Sequence, residues 1–324
     1  MTPQSRCAQT HFCNLLFVVV LTDVCCTSSE KIGQATALDG AAALDAAMDA
    51  PGVRGYGLNV PAGYRPSLPT PLVVMLHGYG TDGASQESYY FKLAAMSEAK
   101  TFLYAYPNGT LGTISWSVGN RFWNATDACC DFFHLNPDDV VSFDAVVDDI
   151  SSKYNVDAKR IFVVGHSNGG FMAHRLACDR SSRVAAIVSI AGAQWLDPAN
   201  CRPDQLVSVV EMHGDQDVAG GNDPYPIDYN GGSTFEGTYP SAHQTVSSWA
   251  QKNGCFGTLA DTGQLLDLVP SLPGAETRID AFTNCPPGID VQLWTIQGGG
   301  HMDPLDTTAF GEAMWQFMIA HAKP

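Results

Sequence analysis

Ser167 stands in the run RIFVVGHSNGGFMAHRLAC, residues 160–178, with Gly165 and Gly169 two places to either side of it. A serine hydroxyl is a weak nucleophile. It attacks a carbonyl only when it stands clear of the backbone and a base can take its proton. A G-x-S-x-G pattern provides that exposure when an apolar strand precedes it and a helix follows. Both conditions are legible here. Ile161, Phe162, Val163 and Val164 form an apolar run that ends at Gly165, and Phe171, Met172, Leu176 and Cys178 then recur at helical spacing. The two glycines leave room for strand and helix to close on a strained Ser167.

The base is expected after the serine, in the order Ser, acid, His. Later histidines are His174, His213, His243, His301 and His321. His174 lies on the helix after the turn, pointing along it, and His213 ends an apolar strand. His243 and His321 fall in helical stretches, where a histidine is by default exposed or satisfied. His301 differs: it follows Gly298, Gly299 and Gly300 directly after the strand-like VQLWTI. A histidine on such a loop, at the C-terminal end of a strand, can reach the nucleophile. The carboxylate comes from His213-Gly214-Asp215-Gln216-Asp217. Either aspartate emerges at the sheet edge. Asp215 suits a turn, and Asp217 lies far enough past the strand to turn back towards a histidine.

Upstream, LVVML at residues 72–76 reads as a buried strand closing on His77-Gly78-Tyr79-Gly80. Gly78, Gly80 and Gly83, with Glu98 further on, also spell a dinucleotide fingerprint. That reading leaves His77 and the serine turn unexplained. A His-Gly-x-Gly turn fits better as a loop that aims a backbone N–H at a developing oxyanion.

These residues need a scaffold of alternating strands and helices. Tyr56, Leu58 and Val60 alternate as an early strand, and FLYAY at 102–106, with residues 185–190, 206–210 and 291–296, supplies more. Helical stretches are expected at 84–99, 140–154, 241–253 and 307–321. Asp144, Asp148 and Asp149 on the second of these read as a solvated face. Residues 107–137 read as a long irregular loop carrying Trp116, Phe122 and Trp123. The fold class is α/β, a doubly wound and mostly parallel sheet with helices on both faces.

The chain has 324 residues, a net charge of −16 and 45% hydrophobic residues. An acidic surface repels phosphate backbones, so nucleic acid is not an expected partner. Arg6, the apolar run 15–21 and the small residues near 27–29 read as a secretory signal over 1–29, too short to span a membrane. An Ala-rich linker is expected over 30–50 and one catalytic domain over 51–324. A membrane partner follows only if Cys25 or Cys26 takes a lipid, and Val24 is a poor residue before such a site. Six cysteines then remain, at 129, 130, 178, 201, 255 and 285, an even number that suits disulfides in an exported chain. No metal-ligand spacing is present, and neither metal nor cofactor is expected.

Taken together, PLVVMLHGYG, FLYAYPNGT, RFWNATDACC, RIFVVGHSNGGFMAHRLAC, EMHGDQD and VQLWTIQGGGH resemble the α/β-hydrolase family of polyhydroxybutyrate depolymerase-like and feruloyl esterase-like secreted esterases. The resemblance runs from about residue 55 to 321. It implies Ser167, Asp217 and His301 as catalytic triad, with the acid at the last residue of H-G-x-x-D. It further implies oxyanion donors in the N–H groups of Tyr79 and Asn168. Disulfides Cys178 to Cys201 and Cys255 to Cys285 follow from it, leaving Cys129 and Cys130 as a vicinal pair or otherwise arranged. Two departures touch the substrate side. Asp303 occupies a position where relatives carry tryptophan, so an aromatic wall must come from elsewhere, Trp123 or Trp195. The segment after Asp217 also runs long. The implied activity is serine ester hydrolysis on hydroxyalkanoate oligomers or polyester, with feruloyl or acetyl esters of plant polysaccharide as the alternative. A peptidase, an acyltransferase or a non-catalytic binding module on the same scaffold would be rivals.

Overall fold

The computed structural model describes residues 53–114, 117–217, 228–234 and 236–324. The expected signal and linker, and Trp116, lie outside the described residues. In chain order the elements are β1 (Tyr56–Asn59), β2 (Thr70–Leu76), α1 (Gly83–Gln86), α2 (Ala94–Lys100), β3 (Leu103–Pro107), β4 (Thr110–Ile114) and β5 (Ser117–Phe122). They continue with α3 (Asp139–Lys153), β6 (Val156–His166), α4 (Asn168–Asp179), β7 (Ala186–Ile190), β8 (Ser208–Gly214), β9 (Gly232–Ser233) and β10 (Thr238–Tyr239). The last are α5 (Ala242–Lys252), β11 (Leu259–Leu266), β12 (Thr277–Phe282), β13 (Val291–Ile296) and α6 (Thr307–Ala320).

Nine strands form one sheet in the order β1, β3, β2, β6, β7, β8, β13, β12, β11 among the described residues. The centre from β3 to β13 is parallel, and β1, β12 and β11 pair antiparallel at the two edges. Parallel strands are covered on both faces and so read as continuous apolar runs. In β2, Leu72, Val74 and Leu76 pack into one core with α3, α4 and α5. The alternate Val73 and Met75 pack into a second core with α2 and α6. This is the period of two that a strand imposes. Asp138 caps α3 by accepting from the Val141 N–H, and Ser241 with Gln244 forms a reciprocal capping box on α5.

The α/β-hydrolase architecture expected from the sequence holds, with three differences. Residues 107–137 are not wholly irregular, because β4 and β5 form a hairpin there. The stretch 84–99 is not one helix: α1 runs into a π-helical turn, Glu87–Phe91, and Lys92 at φ 48° precedes α2. The acids of α3 are not simply solvated, since Asp144 pairs with Arg180 at 2.5 Å and Arg183 at 2.8 Å, anchoring α3 to the end of α4.

Cys178 is bonded to Cys201, Cys255 to Cys285, and Cys129 to its neighbour Cys130. Bridges spanning 23 and 30 residues each stabilise by about 3 kcal/mol through the unfolded chain. Peptide mapping without reduction should recover these three pairs and no others among the six cysteines. Mixed pairs, or free thiols at any of the six, would contradict the arrangement.

Candidate active site

The turn from β6 into α4 places Ser167 at φ 56° and ψ −121°, a left-handed backbone that a serine adopts only under constraint. The neighbours explain how it is held. A Cβ on Gly165 would meet the Gly169 carbonyl oxygen at 2.1 Å, and a Cβ on Gly169 would meet that of Leu76 at 2.1 Å. Strand and helix therefore approach more closely than any side chain allows. The Ser167 N–H donates to the Ile190 carbonyl at 2.8 Å, tying the turn to β7.

The structure brings Ser167, His301 and Asp217 together from three separate segments. His301 Nε2 lies 3.0 Å from Ser167 Oγ, and His301 Nδ1 lies 2.8 Å from Asp217 Oδ2. Asp217 is buried. Burial alone would raise its carboxyl, but hydrogen bonds from His213 and His301 outweigh that and hold it below the ordinary range. Asp215 does a different job. Its Oδ1 accepts from the Gly298 N–H at 2.8 Å, and the Gln216 N–H donates to the Gly299 carbonyl at 2.8 Å. The acid loop and the glycine loop carrying His301 thus pack backbone to backbone. Asp303 accepts from the Gly300 N–H at 2.6 Å and tightens the same loop.

On the other side of the serine, Tyr79 follows β2 and Asn168 opens α4. The first N–H groups of a helix have no intrahelical acceptor, and Asn168 is the first residue of α4. Its side chain is committed elsewhere: Oδ1 accepts from the Trp123 N–H at 2.7 Å and Nδ2 donates to the Trp123 carbonyl at 2.8 Å. The loop holding Tyr79 is fixed by His77, whose Nδ1–H donates to the Gly78 carbonyl at 2.7 Å and whose Nε2 accepts from the Gly109 N–H at 2.8 Å. Burial pushes the His77 ring down to about 4, so it stays neutral and can accept. Gln86 completes the brace by accepting from the Gly78 N–H at 3.1 Å. Glu98 serves the β1 edge through Ala62 and Asn59, away from the glycine turn.

A cleft of about 430 Å³ opens over Ser167 and His301, lined by Tyr79, Gln86, Tyr89, Cys130, Phe132 and Met302 among others. Tyr79 and Phe132 pack with ring centroids 5.2 Å apart. The aromatic wall is therefore Tyr79, Tyr89 and Phe132. Trp123 and Trp195, expected in that role, are not among its lining residues. Trp123 is 2% exposed and donates from Nε1 to the His77 carbonyl at 3.0 Å, anchoring the hairpin beneath the turn. Trp195 is partly buried against the larger core.

Several residues in contact with this arrangement were not singled out as functional from the sequence. Besides Gln86, His166 donates from Nε2 to the His301 carbonyl at 2.9 Å, and His213 Nε2 lies 3.0 Å from Asp217 Oδ2. The one sequence signal is Glu211 with His213. Two ionisable residues at a spacing of two in an otherwise apolar strand share one face and must be partnered there. No cluster of side chains suited to a metal ion is found among the described residues.

A match to the family described as alpha/beta hydrolase fold covers residues 71–226. The described residues have the fold of that family. The chain is 26% identical over 273 residues to feruloyl esterase B of Piromyces equi, an alignment that takes in 82% of this chain but 44% of that protein. It is 24% identical over 254 residues to poly(3-hydroxyalkanoate) depolymerase C of Paucimonas lemoignei, covering 73% and 56%. The chain thus spans about half the length of these two relatives. Among solved structures, an acetyl xylan esterase from Aspergillus awamori superposes with a TM-score of 0.53 at 17% identity, over 84% of this chain and 96% of that one. That last likeness speaks to the fold alone.

Two sets of variants test the geometry. Ser167→Ala should lose at least ~10⁴-fold in kcat with the melting temperature retained, and Asp217→Asn should lose a similar factor. Asp215→Asn keeps an acceptor for Gly298 and should cost far less. Greater damage from Asp215→Asn than from Asp217→Asn would reverse the assignment of the acid. Trp123→Ala should destabilise by about 3–5 kcal/mol and slow every ester alike. A loss confined to bulky esters, with no fall in melting temperature, would return Trp123 to the substrate wall.

Proposed function

We propose that the protein is a serine ester hydrolase that works through an acyl-enzyme. The observation that carries this reading is the hydrogen-bonded chain from Ser167 through His301 to Asp217 at the floor of an open cleft. His301 Nε2 takes the proton of Ser167 Oγ as the oxygen attacks the ester carbonyl carbon. The negative charge that develops on the carbonyl oxygen meets the N–H groups of Tyr79 and Asn168. When the tetrahedral adduct collapses, His301 passes the proton to the leaving alcohol. Water then enters by the same route, giving its proton to His301 and releasing the acid. Asp217 keeps the His301 proton on Nδ1 and stabilises the imidazolium throughout. Three disulfides support an oxidising compartment as its workplace.

The names of the relatives point to two substrate classes, hydroxyalkanoate esters and aromatic or acetyl esters of plant polysaccharide. A specific observation favours an aromatic acyl group: Tyr79, Tyr89 and Phe132 line the cleft beside the nucleophile. Stacking of a planar ring against such walls contributes about 1 kcal/mol beyond burial. Methyl ferulate should therefore exceed a 3-hydroxybutyrate dimer or trimer in kcat/KM by about fivefold. The opposite ranking would assign the hydroxyalkanoate class. Faster turnover of amides than of esters would make the protein a peptidase. Failure of a fluorophosphonate probe to label Ser167 would leave a binding module on a hydrolase scaffold.

A further inference from the structure

Glu211 and His213 share one face of β8 and are 0% and 1% exposed. His213 Nδ1 lies 3.2 Å from Glu211 Oε1, and His213 Nε2 lies 3.0 Å from Asp217 Oδ2. An ionised carboxylate only accepts hydrogen bonds, so a ring with a carboxylate at each nitrogen needs a proton on both. Both carboxylates are ionised on the same geometry. The Trp249 Nε1–H donates to His174 Nδ1 at 2.9 Å, which puts the His174 proton on Nε2, 2.8 Å from Glu211 Oε2. The Gly192 N–H points at Glu211 Oε1 from 3.3 Å. Glu211 thus accepts from His174 and Gly192 before His213 is counted; burial alone would raise its carboxyl, but the hydrogen bonds it accepts hold it below the ordinary range. Asp217 Oδ2 receives both His213 and His301.

We infer that His213 is a permanently protonated positioning residue that shares Asp217 Oδ2 with His301 and so keeps Asp217 ionised, and able to hold the base, to lower pH. The inference rests on the reading of Ser167, His301 and Asp217 as a triad. A buried carboxylate without a countercharge is costly, and His213 supplies one charge to two of them. The chain runs Glu211 negative, His213 positive, Asp217 negative, His301. A cation 3.0 Å from Asp217 favours the ionised form of that carboxylate. Asp217 then stays charged, and keeps hold of His301, to lower pH, and the enzyme works further into acid.

The ionisable groups around His213 are consistent with this. Its own strand offers Glu211, the following loop Asp217, α4 His174, and the glycine loop His301. Tyr229 presents its ring edge at a centroid distance of 5.9 Å, with its hydroxyl turned to His243 at 2.9 Å and Thr295 of β13 at 3.4 Å. His166, at the end of β6, is driven by burial down to about 3 and brings no charge. Burial would likewise strip His213 of its proton, but the hydrogen bonds it donates to Asp217 and Glu211 outweigh it and raise the ring to about 9.

Two measurements on the full chain decide the matter. The nitrogen shifts of ¹⁵N-histidine in the wild-type protein should show both nitrogens of His213 protonated from about pH 5 to 8. One unprotonated nitrogen in that range would overturn the inference, whatever the activity. His213→Gln removes the charge and keeps a donor. Its kcat/KM against pH should have its acidic limb displaced upward by about one pH unit. The sign follows from the charge: without the cation, Asp217 takes up a proton at a higher pH, so activity is lost at a higher pH as acid is added. A lowered rate at all pH values with the limb unmoved would mean a merely structural histidine, and would also overturn it. If His213→Gln does not fold, the nitrogen shifts alone decide. Ester hydrolysis persisting in Ser167→Ala would instead dispose of the triad, an outcome the shifts of His213 do not mimic.

Discussion

A left-handed backbone at Ser167 is the constraint around which the sheet is arranged. Such a conformation costs of order 1–3 kcal/mol for a residue with a Cβ, and it persists only where the surroundings leave no alternative. Here the chain is pinned on three sides. The Ser167 N–H is bonded to β7, its carbonyl accepts from Phe171 as α4 begins, and Gly169 lies flat against the end of β2. Relaxing Ser167 would require β6, β7 or α4 to move within a core whose side chains are almost wholly buried. The order β2, β6, β7 at the middle of the sheet is thus part of the site as much as of the fold.

The same economy of backbone contact fixes the acid relative to the base. A Cβ on Gly214 would stand 2.3 Å from the Gly299 carbonyl oxygen, so the loops after β8 and β13 touch main chain to main chain. Because β8 and β13 are parallel neighbours, with Thr295 beside His213, their following loops leave the same edge of the sheet side by side. Asp217 and His301, 84 residues apart in sequence, owe their 2.8 Å separation to that adjacency. Flexibility is not what the three glycines before His301 contribute in the folded state. Gly299 allows close packing, since a Cβ there would meet Ile296 Cγ2 at 2.5 Å, and Gly298 takes a φ of 79°; Asp215 and Asp303 then bind the loop at Gly298 and Gly300.

Much of this was legible in the sequence. The apolar runs of β2, β6 and β13 marked buried parallel strands, and the glycines around Ser167 marked where chains must approach, whereas those before His301 read as a flexible loop. The strands β11 and β12 were not legible. In β11 the residues are mostly exposed and interrupted by Gly263, so neither alternation nor an apolar run survives at that antiparallel edge. The hairpin β4 and β5 was hidden for a similar reason, in a glycine- and polar-rich stretch. Trp123 shows the limit for side chains. A tryptophan in a loop fits a substrate wall or an anchor equally well, and only its bond to the His77 carbonyl separates the two. Partners drawn from segments 37 or 45 residues apart, as for His174 with Glu211 or Asn168 with Trp123, leave no periodic signal.

Three buried histidines near the nucleophile have different protonation states, and what faces their ring nitrogens decides which. His77 meets a carbonyl and an N–H, so one nitrogen must accept and the ring stays neutral. His166 meets the His301 carbonyl at one nitrogen and has the Gln86 side-chain nitrogen 3.5 Å from the other, with the same result. Both hold loops in place without adding charge beside the serine. His213 meets a carboxylate at either side and takes the second proton despite equal burial. Burial alone therefore does not predict the charge of a histidine in this core. The acceptors do, and they were chosen when Glu211 was placed two residues before His213 on the same strand.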